Sequence, residues 1–336
     1  MYDALLVVSF GGPEAHGEVV PFLENVLRGK NVPRERMLEV AEHYYHFEGI
    51  SPINDQNRAL IAALRPALDA AGIPLPIYWG NRNWHPMLAD TLRQMANDGV
   101  KRALAYVTSA FSSYSGCRQY RQDIEAARAI VGPAAPEIDK LRVFFNHPGF
   151  ISAVTARVQY AFGQIPEGRR AAAALIYTAH SIPVSMAQGC DYVAQLQESA
   201  GLVTQAIGHS SHTLVYQSRS GPPSQPWLEP DVCAHLREVR AAGVTDAVVV
   251  PLGFISDHME VLYDLDTEAA ELSKQIGLNM VRAGTAGTHP GLIQTIVDLV
   301  GERLDPTRPR LTVGTMPSCP DVCPATCCPA PARPAR

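Results

Sequence analysis

The chain has no excess of positive charge, no membrane-length apolar run, no complete nucleotide-binding loop and no even set of cysteines. Each absence removes a class of function. Its 336 residues carry 28 Lys and Arg against 33 Asp and Glu, a net charge of −5 with a pI near 6.1, so the polycationic surface that nucleic acid binding needs is missing. The longest apolar runs, such as Asp246-Ala-Val-Val-Val-Pro-Leu-Gly253, are strand-sized and too short to span a bilayer. The start, Met1-Tyr-Asp-Ala-Leu-Leu-Val-Val8, enters a strand without a basic leader or cleavage site. A cytoplasmic monomer with no integral membrane segment is expected. Gly11-Gly12-Pro13 lacks GxGxxG spacing and no Walker A loop occurs, which speaks against a nucleotide site. The seven cysteines are an odd count, which in such a chain argues against a disulfide framework.

A hydrophobic content of 46% over this length is enough for two ordinary cores. Strand-length apolar runs at 4–10, 76–80, 102–111 and 141–145 alternate with amphipathic segments at 17–27, 85–96 and 115–130. The second half repeats the scheme, with strands at 172–178, 213–217, 246–254 and 279–283 and helices at 187–206, 230–242, 257–275 and 290–303. Repeated βα units with β-branched strands predict an α/β protein of two Rossmann-like lobes, each a parallel four-stranded sheet flanked by helices. The polar break Gln164-Ile-Pro-Glu-Gly-Arg-Arg170 separates a lobe at 1–165 from one at 166–305, followed by a Pro- and Cys-rich extension at 306–336.

The most informative stretch runs from Gly253 to Glu268, because Asp257, Glu260, Asp264 and Glu268 recur at intervals of three and four. In a helix those side chains share one face. Like charges so spaced cost about 0.2–0.5 kcal/mol per pair, and no Lys or Arg lies between Asp257 and Ser273 to offset them. Asp257 and Glu260 also read as a capping box, welcomed by the helix dipole. Asp264 and Glu268 lie beyond the first turn, as either a solvated face or a ladder for a divalent cation. His180 in Tyr177-Thr-Ala-His-Ser-Ile-Pro183 follows a strand, as do Gln217-Ser218 and the acidic helix, so three strand ends could meet in one cleft. An imidazole facing Glu260 there would serve as a general base or metal ligand.

Five segments carry a resemblance: Ser9-Phe-Gly-Gly-Pro-Glu14, Phe47-Glu-Gly-Ile-Ser-Pro52, Thr178-Ala-His-Ser-Ile-Pro183, Tyr216-Gln-Ser218 with Pro226-Trp-Leu228, and Gly253-Phe-Ile-Ser-Asp-His-Met-Glu260. Together they resemble the signature segments of ferrochelatases, over about residues 1 to 305 and in the family's order. The resemblance implies a type II chelatase-like fold and insertion of ferrous iron, as substrate, into a porphyrin. It implies that His180 and Glu260 face each other across the macrocycle, each from its own lobe. His180 would accept pyrrole protons and ligate iron, with Asp257, Asp264 and Glu268 as the path for iron or protons and His258 behind them. Arg28, Lys30, Ser51, Tyr120 and Arg121 are the candidates for the porphyrin's rim. Phe10 stands where some relatives carry a tyrosine, which leaves an aromatic wall but no axial phenolate.

Several lineages of the family hold a 2Fe-2S cluster with one internal and three C-terminal cysteines. By resemblance Cys117 in Tyr114-Ser-Gly-Cys117 is the internal ligand, with Cys319, Cys323 and Cys328 from the tail and Cys327 as the alternate to Cys328; such a cluster needs four thiolates. The competing account of the tail is a Pro-rich disordered segment that binds zinc adventitiously. Cys190 and Cys233 are expected to be ordinary residues. A soluble, cluster-bearing form resembles the bacterial branch that converts coproporphyrin III to coproheme, with other haem-synthesis enzymes as its partners. Protoporphyrin IX is the second substrate reading; a cobalt chelatase of corrin synthesis, a non-catalytic haem-binding protein and an Fe-S electron carrier are the rivals.

Overall fold

The computed structural model describes residues 2–30, 32–221, 224–324 and 326–330. The first half runs β1 (Ala4–Ser9), α1 (Val19–Val26), α2 (Arg34–Tyr45), α3 (Ile53–Ala70), β2 (Ile77–Asn81), α4 (Leu88–Asn97), β3 (Arg102–Val107), α5 (Gln119–Val131), β4 (Glu137–Lys140) and α6 (Pro148–Gly163). The second runs α7 (Glu167–Arg170), β5 (Ala174–His180), α8 (Val184–Ala187), α9 (Tyr192–Ala206), β6 (Thr213–Gln217), α10 (Val232–Ala241), β7 (Asp246–Val250), α11 (Met259–Val261), α12 (Ala270–Gln275), β8 (Asn279–Arg282) and α13 (Pro290–Leu304). Wider π-helical turns occupy Tyr114–Arg118 and Leu262–Ala269.

The two sheets have the same plan: four parallel strands in the orders β2-β1-β3-β4 and β6-β5-β7-β8. Leu5, Leu6, Val7 and Val8 are all inaccessible to solvent, as are Val248 and Val249, because helices cover both faces of a parallel sheet. In each sheet the order reverses between the first and third strands. Such reversals leave a crevice beyond the carboxyl ends of the strands, and the candidate residues gather there.

Helices α6 and α13 hold the halves together. Both open on His-Pro-Gly, with the His147 and His289 rings accepting from the Gly149 and Gly291 amides at 3.2 and 3.1 Å and proline at the first helical position, where its missing N–H costs nothing. The two helices cross at those glycines. A Cβ on Gly149 would lie 2.5 Å from the Gly291 carbonyl oxygen, and one on Gly291 would lie 2.4 Å from that of Gly149. Thus α6, although it precedes residue 165, packs on α9 and α13 of the second half. The extension is sewn to both: buried Arg142 pairs with Glu302 through two contacts of 2.8 Å and donates to the Leu311 carbonyl, while Asn146 donates to the Met316 carbonyl at 2.7 Å. Glu198 on α9 accepts from the Met316 amide at 3.0 Å.

Three expectations change. The predicted strand at 141–145 is buried chain beyond the sheet; the strand is the polar segment Glu137–Lys140 at the sheet edge, and the apolar run is buried by α6 and α13 rather than by strand pairing. Helices α2, α3 and α6 stand where no helix was predicted. The acidic segment is not one α-helix from 257, since it begins at Met259 and widens through Leu262–Ala269. Its cap is His258, whose ring accepts from the Glu260 amide at 3.3 Å, in place of the Asp257 capping box.

Gly149→Ala should split the α6–α13 crossing, because the obstructing atom is backbone and cannot move aside. We expect it to cost about 1–3 kcal/mol and to lower the urea midpoint, whereas Gly163→Ala, with nothing within 4 Å of the added carbon, should be neutral or mildly stabilising.

Candidate functional site

His180 is the last residue of β5, in register with Gln217 of β6. The strand before it is buried, so the sheet delivers the imidazole to the first solvent-accessible position at its carboxyl edge. Nδ1 contacts the Ser181 carbonyl at 2.5 Å. A carbonyl only accepts, so Nδ1 carries a hydrogen in either charge state and Nε2 is the nitrogen whose proton comes and goes. Nε2 lies 3.6 Å from Glu260 Oε2. The Tyr192 hydroxyl donates to the His180 carbonyl at 3.1 Å and fixes the peptide plane on the other side.

This geometry corrects the expectation that the pair straddles a macrocycle from opposite lobes. Both residues belong to the second lobe, and a flat ring with van der Waals contacts on each side needs about 7 Å between them. They present themselves side by side to one face of any guest. The side chains retain 32% and 47% of their accessible surface, yet Lys30 and Tyr44 of the first lobe lie within electrostatic reach of Glu260. That exposure is therefore the wall of a cleft between the lobes.

Burial alone would lower the His180 pKa; the Glu260 carboxylate, the Ser181 carbonyl and Asp264 outweigh it, and the net shift is upward. For Glu260, burial pushes upward, but His180, His258 and Lys30 bring it down to about 2. An imidazolium–carboxylate pair results. Beyond it, Gln217 Nε2 donates to the Glu260 carbonyl at 3.1 Å and to Asp264 Oδ2 at 3.3 Å, and the Ser218 hydroxyl donates to the same oxygen. Burial first, then Glu260 and Glu268, raise Asp264 to about 7 against the Ser218 hydrogen bond. Burial and Asp231 raise Glu268 as well. Glu268 opens into an outer hollow of 450 Å³ shared with Asp231, Arg237 and Glu271. Asp257 stands apart from this ladder. The Arg282 guanidinium holds it at 3.0 Å and Asp266 at 2.7 Å, so compensation for the acids comes from β8, outside the segment that lacked Lys and Arg.

The facing wall comes from the first lobe. Phe10 packs edge-on against Phe22 at 6.2 Å. The buried Arg82 guanidinium lies 5.6 Å from the Phe10 ring and 4.5 Å from that of Tyr120, and pairs with Asp123 at 2.5 Å. Lys30 is exposed by area but hemmed by both lobes; partial burial and then Arg82 lower its pKa, against the pull of Asp123 and Glu260. Of the other rim candidates, Arg28 and Arg121 are exposed, Tyr120 is buried beneath Arg82, and Ser51 is buried under Gly12, where an added Cβ would come within 2.7 Å. Helix α2 closes the wall, its His43 ring stacked on Tyr263 of the acidic helix at 3.7 Å. Sequence reasoning overlooked Arg82, His43, Tyr44, Tyr192 and Tyr263. Arg82 follows a strand end directly, which is a usable signal; His43, Tyr44 and the stacking partner Tyr263 depend on α2, and Tyr192 opens α9.

Six of the seven cysteines, all but Cys233, line one cavity of 420 Å³ with Ser112, Lys140 and Arg142 and the loop Gln188-Gly-Cys-Asp191. Cys190, expected to be ordinary, is among them. Cys117 and Cys328 are buried. Among the described residues no three His, Cys, Asp or Glu donors converge on a single metal position.

The ferrochelatase family model matches residues 2–304. The chain is 58% identical over 328 residues to the ferrochelatase of Rhodopirellula baltica, covering 97% of this chain and 93% of that protein. It is 49% identical over 350 aligned positions to the coproporphyrin III ferrochelatase of Nocardia farcinica (99% and 98% covered), and 48% identical over 357 to that of Streptomyces coelicolor (99% and 95%). Among solved structures, SirB from Bacillus subtilis with Fe3+ superposes with a TM-score of 0.54 at 13% identity, covering 90% of this chain and 95% of that one. CbiX, the terminal enzyme of siroheme biosynthesis in denitrifying bacteria, gives 0.50 at 14% identity, covering 90% and 100%. At these identities the superpositions speak for the chelatase fold alone.

The charged pair has a readable signature. A histidine raised in the folded state stabilises the protein fully below its unfolded value of 6.5 and loses that contribution as pH rises through the folded value. Glu260, lowered to about 2, contributes above its ordinary 4.5 and loses it as pH falls toward 2. In Glu260→Gln the largest upward influence on His180 is gone, and only the Ser181 carbonyl and Asp264 remain to oppose burial. Imidazole titration by NMR on metal-free protein should then find the His180 pKa raised in the wild type and lower in the variant than in the wild type; equal values would mean that the two groups do not interact.

Proposed function

The chain belongs to the ferrochelatase family, and from that premise we propose that it inserts ferrous iron into coproporphyrin III to give coproheme, with protoporphyrin IX as the poorer substrate. The observation that carries this reading is the His180–Glu260 contact at 3.6 Å, opposite a first-lobe wall that offers Phe10, Lys30 and Arg82. The apolar ring of a porphyrin suits the aromatic wall, and its propionates suit cations at the rim, among which we place Arg28, Lys30 and Arg121. A substrate with more propionates gains more from them. Tyr120 supports the wall from beneath Arg82, and Ser51 supports it from beneath the Gly12 loop.

Two pyrrole protons leave as Fe2+ enters, so charge is conserved. The charged imidazole of the resting pair cannot bind iron, and Nε2 must lose its proton first. Asp264, near pH 7 in affinity, is matched to take that proton and pass it to Glu268 and the outer hollow; efficient relays have pKa values near the working pH. Neutral His180 first ligates the iron through Nε2; as the metal passes to the macrocycle, the freed Nε2 takes the two pyrrole protons one at a time and hands each to Asp264, while the Glu260 carboxylate neutralises the cation. The ladder that carries protons outward also brings iron in. Insertion accordingly rises with pH through the raised His180 pKa.

We also assign a resident 2Fe-2S cluster to the cysteine cavity. The donor set fits: buried Cys117 reaches the tail thiols there, and Lys140 and Arg142 offset thiolate charge. Bound, the cluster would cross-link the first lobe to the extension. No described helix is long and apolar enough to cross a membrane, and we place the protein in the cytoplasm as a monomer. Its partners would be other haem-synthesis enzymes, and its units would be 1–165, 166–305 and 306–336.

Anaerobic assay of Fe2+ with coproporphyrin III and protoporphyrin IX side by side should give faster turnover with the former; equal rates or the reverse order would remove the substrate assignment. His180→Ala should lower insertion at least about 100-fold, the scale of a lost general base, with porphyrin binding by fluorescence quenching little changed. Retained turnover would take His180 out of the mechanism.

A further inference from the structure

Resting on the cluster reading, we infer that this chain ligates its two irons with Cys117, Cys323, Cys327 and Cys328, and that Cys319, the first cysteine of the tail, stands outside the set. The four named sulfurs form a closed ring. Cys117, Cys323, Cys327 and Cys328 line one cavity, where Cys117 and Cys327 each interact with Cys323 and Cys328, and the Cys327 and Cys328 sulfurs lie 3.4 Å apart. A two-iron cluster uses thiolates in pairs, two to each iron. A lone tetrahedral zinc would need all its sulfurs around one point, and among the described residues no three donors are so arranged.

Adjacent residues of an extended chain point their side chains to opposite sides. Cys327 and Cys328 escape this because Cys328 has φ of +50°, the left-handed region that a non-glycine residue avoids. That turn puts both thiols on the cavity side and leaves Cys328 buried. The Arg118 guanidinium donates to the Cys327 carbonyl at 3.2 Å, clipping the vicinal pair to the π-helical turn that carries Cys117. Lys140 lines the same cavity.

Cys319 is engaged elsewhere. Its sulfur lies 3.5 Å from Gln195 Nε2 and 4.0 Å from the Ser112 hydroxyl, while Gln195, wholly buried, clamps Ser112 through its amide at 2.7 Å and its hydroxyl at 2.9 Å. That knot holds the Cys319 sulfur at the Gln195–Ser112 wall of the cavity, apart from the Cys327–Cys328 pair. Cys190 is likewise turned to its own backbone, donating to the Met186 carbonyl at 3.3 Å.

The test uses the full chain purified anaerobically as wild type, Cys319→Ser and Cys327→Ser. Each is measured for visible absorption, iron and acid-labile sulfide, and the EPR signal after dithionite reduction, with circular dichroism and porphyrin binding to establish folding. We expect wild type and Cys319→Ser to hold about two irons and two sulfides per chain with the same EPR spectrum, and folded Cys327→Ser to lose most of all three. Loss in Cys319→Ser, or full retention in Cys327→Ser, overturns the ligand assignment while leaving the cluster reading standing. A wild type without sulfide or colour overturns the cluster reading itself, and the assignment with it. Should Cys327→Ser not fold, Cys319→Ser decides alone.

Discussion

The molecule turns on one contact, an imidazole and a carboxylate 3.6 Å apart on the same lobe. Each group sets the charge of the other. Without Glu260, His180 would lose the largest influence that opposes its burial; without His180, Glu260 would lose the largest influence that keeps its carboxylate ionised against burial. A resting ion pair is a poor base and a poor ligand, so the arrangement works only if the proton on Nε2 has somewhere to go. In the proposed mechanism Asp264, one turn along the acidic segment and raised to about 7 by burial and its acidic neighbours, is that place. In the proposed reaction the acidic stripe, costly as an isolated helix face, serves as the road for the proton and the cation.

The fold explains why these groups meet. Both sheets share one strand order, and both reversals open toward the same cleft. The second lobe supplies the titratable groups from β5 and from the segment after β7. The first supplies an aromatic and cationic wall from β1, β2 and α2. The crossing of α6 and α13 at paired glycines ties the halves, and the extension laid over both brings tail thiols to Cys117. The loop Gln188-Gly-Cys-Asp191 that walls the cysteine cavity is followed by Tyr192, which holds the His180 carbonyl, so the two sites share one segment of chain.

Much of this was legible in the sequence for physical reasons. Buried parallel strands are apolar, partly β-branched runs, and those beginning at Ala4, Thr213 and Asp246 were visible as such. The apolar run 141–145 misled because burial by helices leaves the same composition as burial in a sheet. Helix α2 was invisible because Arg34–Tyr45 buries only Met37 and Ala41 and otherwise meets the cleft with polar and aromatic side chains. With it were lost Tyr44 and the His43–Tyr263 stack. The composition of the acidic segment was read correctly, but its partners were not, since Arg282 reaches Asp257 from 25 residues away. Periodicity gives faces within an element but not how elements meet; the division at residue 165 already put both groups in the second half, and only the family resemblance led the pair to be expected on opposite walls.

The most direct test is to locate a divalent cation by anomalous diffraction in crystals holding coproporphyrin III. The account requires the ion within coordination distance of His180 Nε2, with Glu260 on the same face of the macrocycle and Phe10 and Arg82 toward the other. A porphyrin lying between His180 and Glu260, or a cation bound away from both, would contradict it.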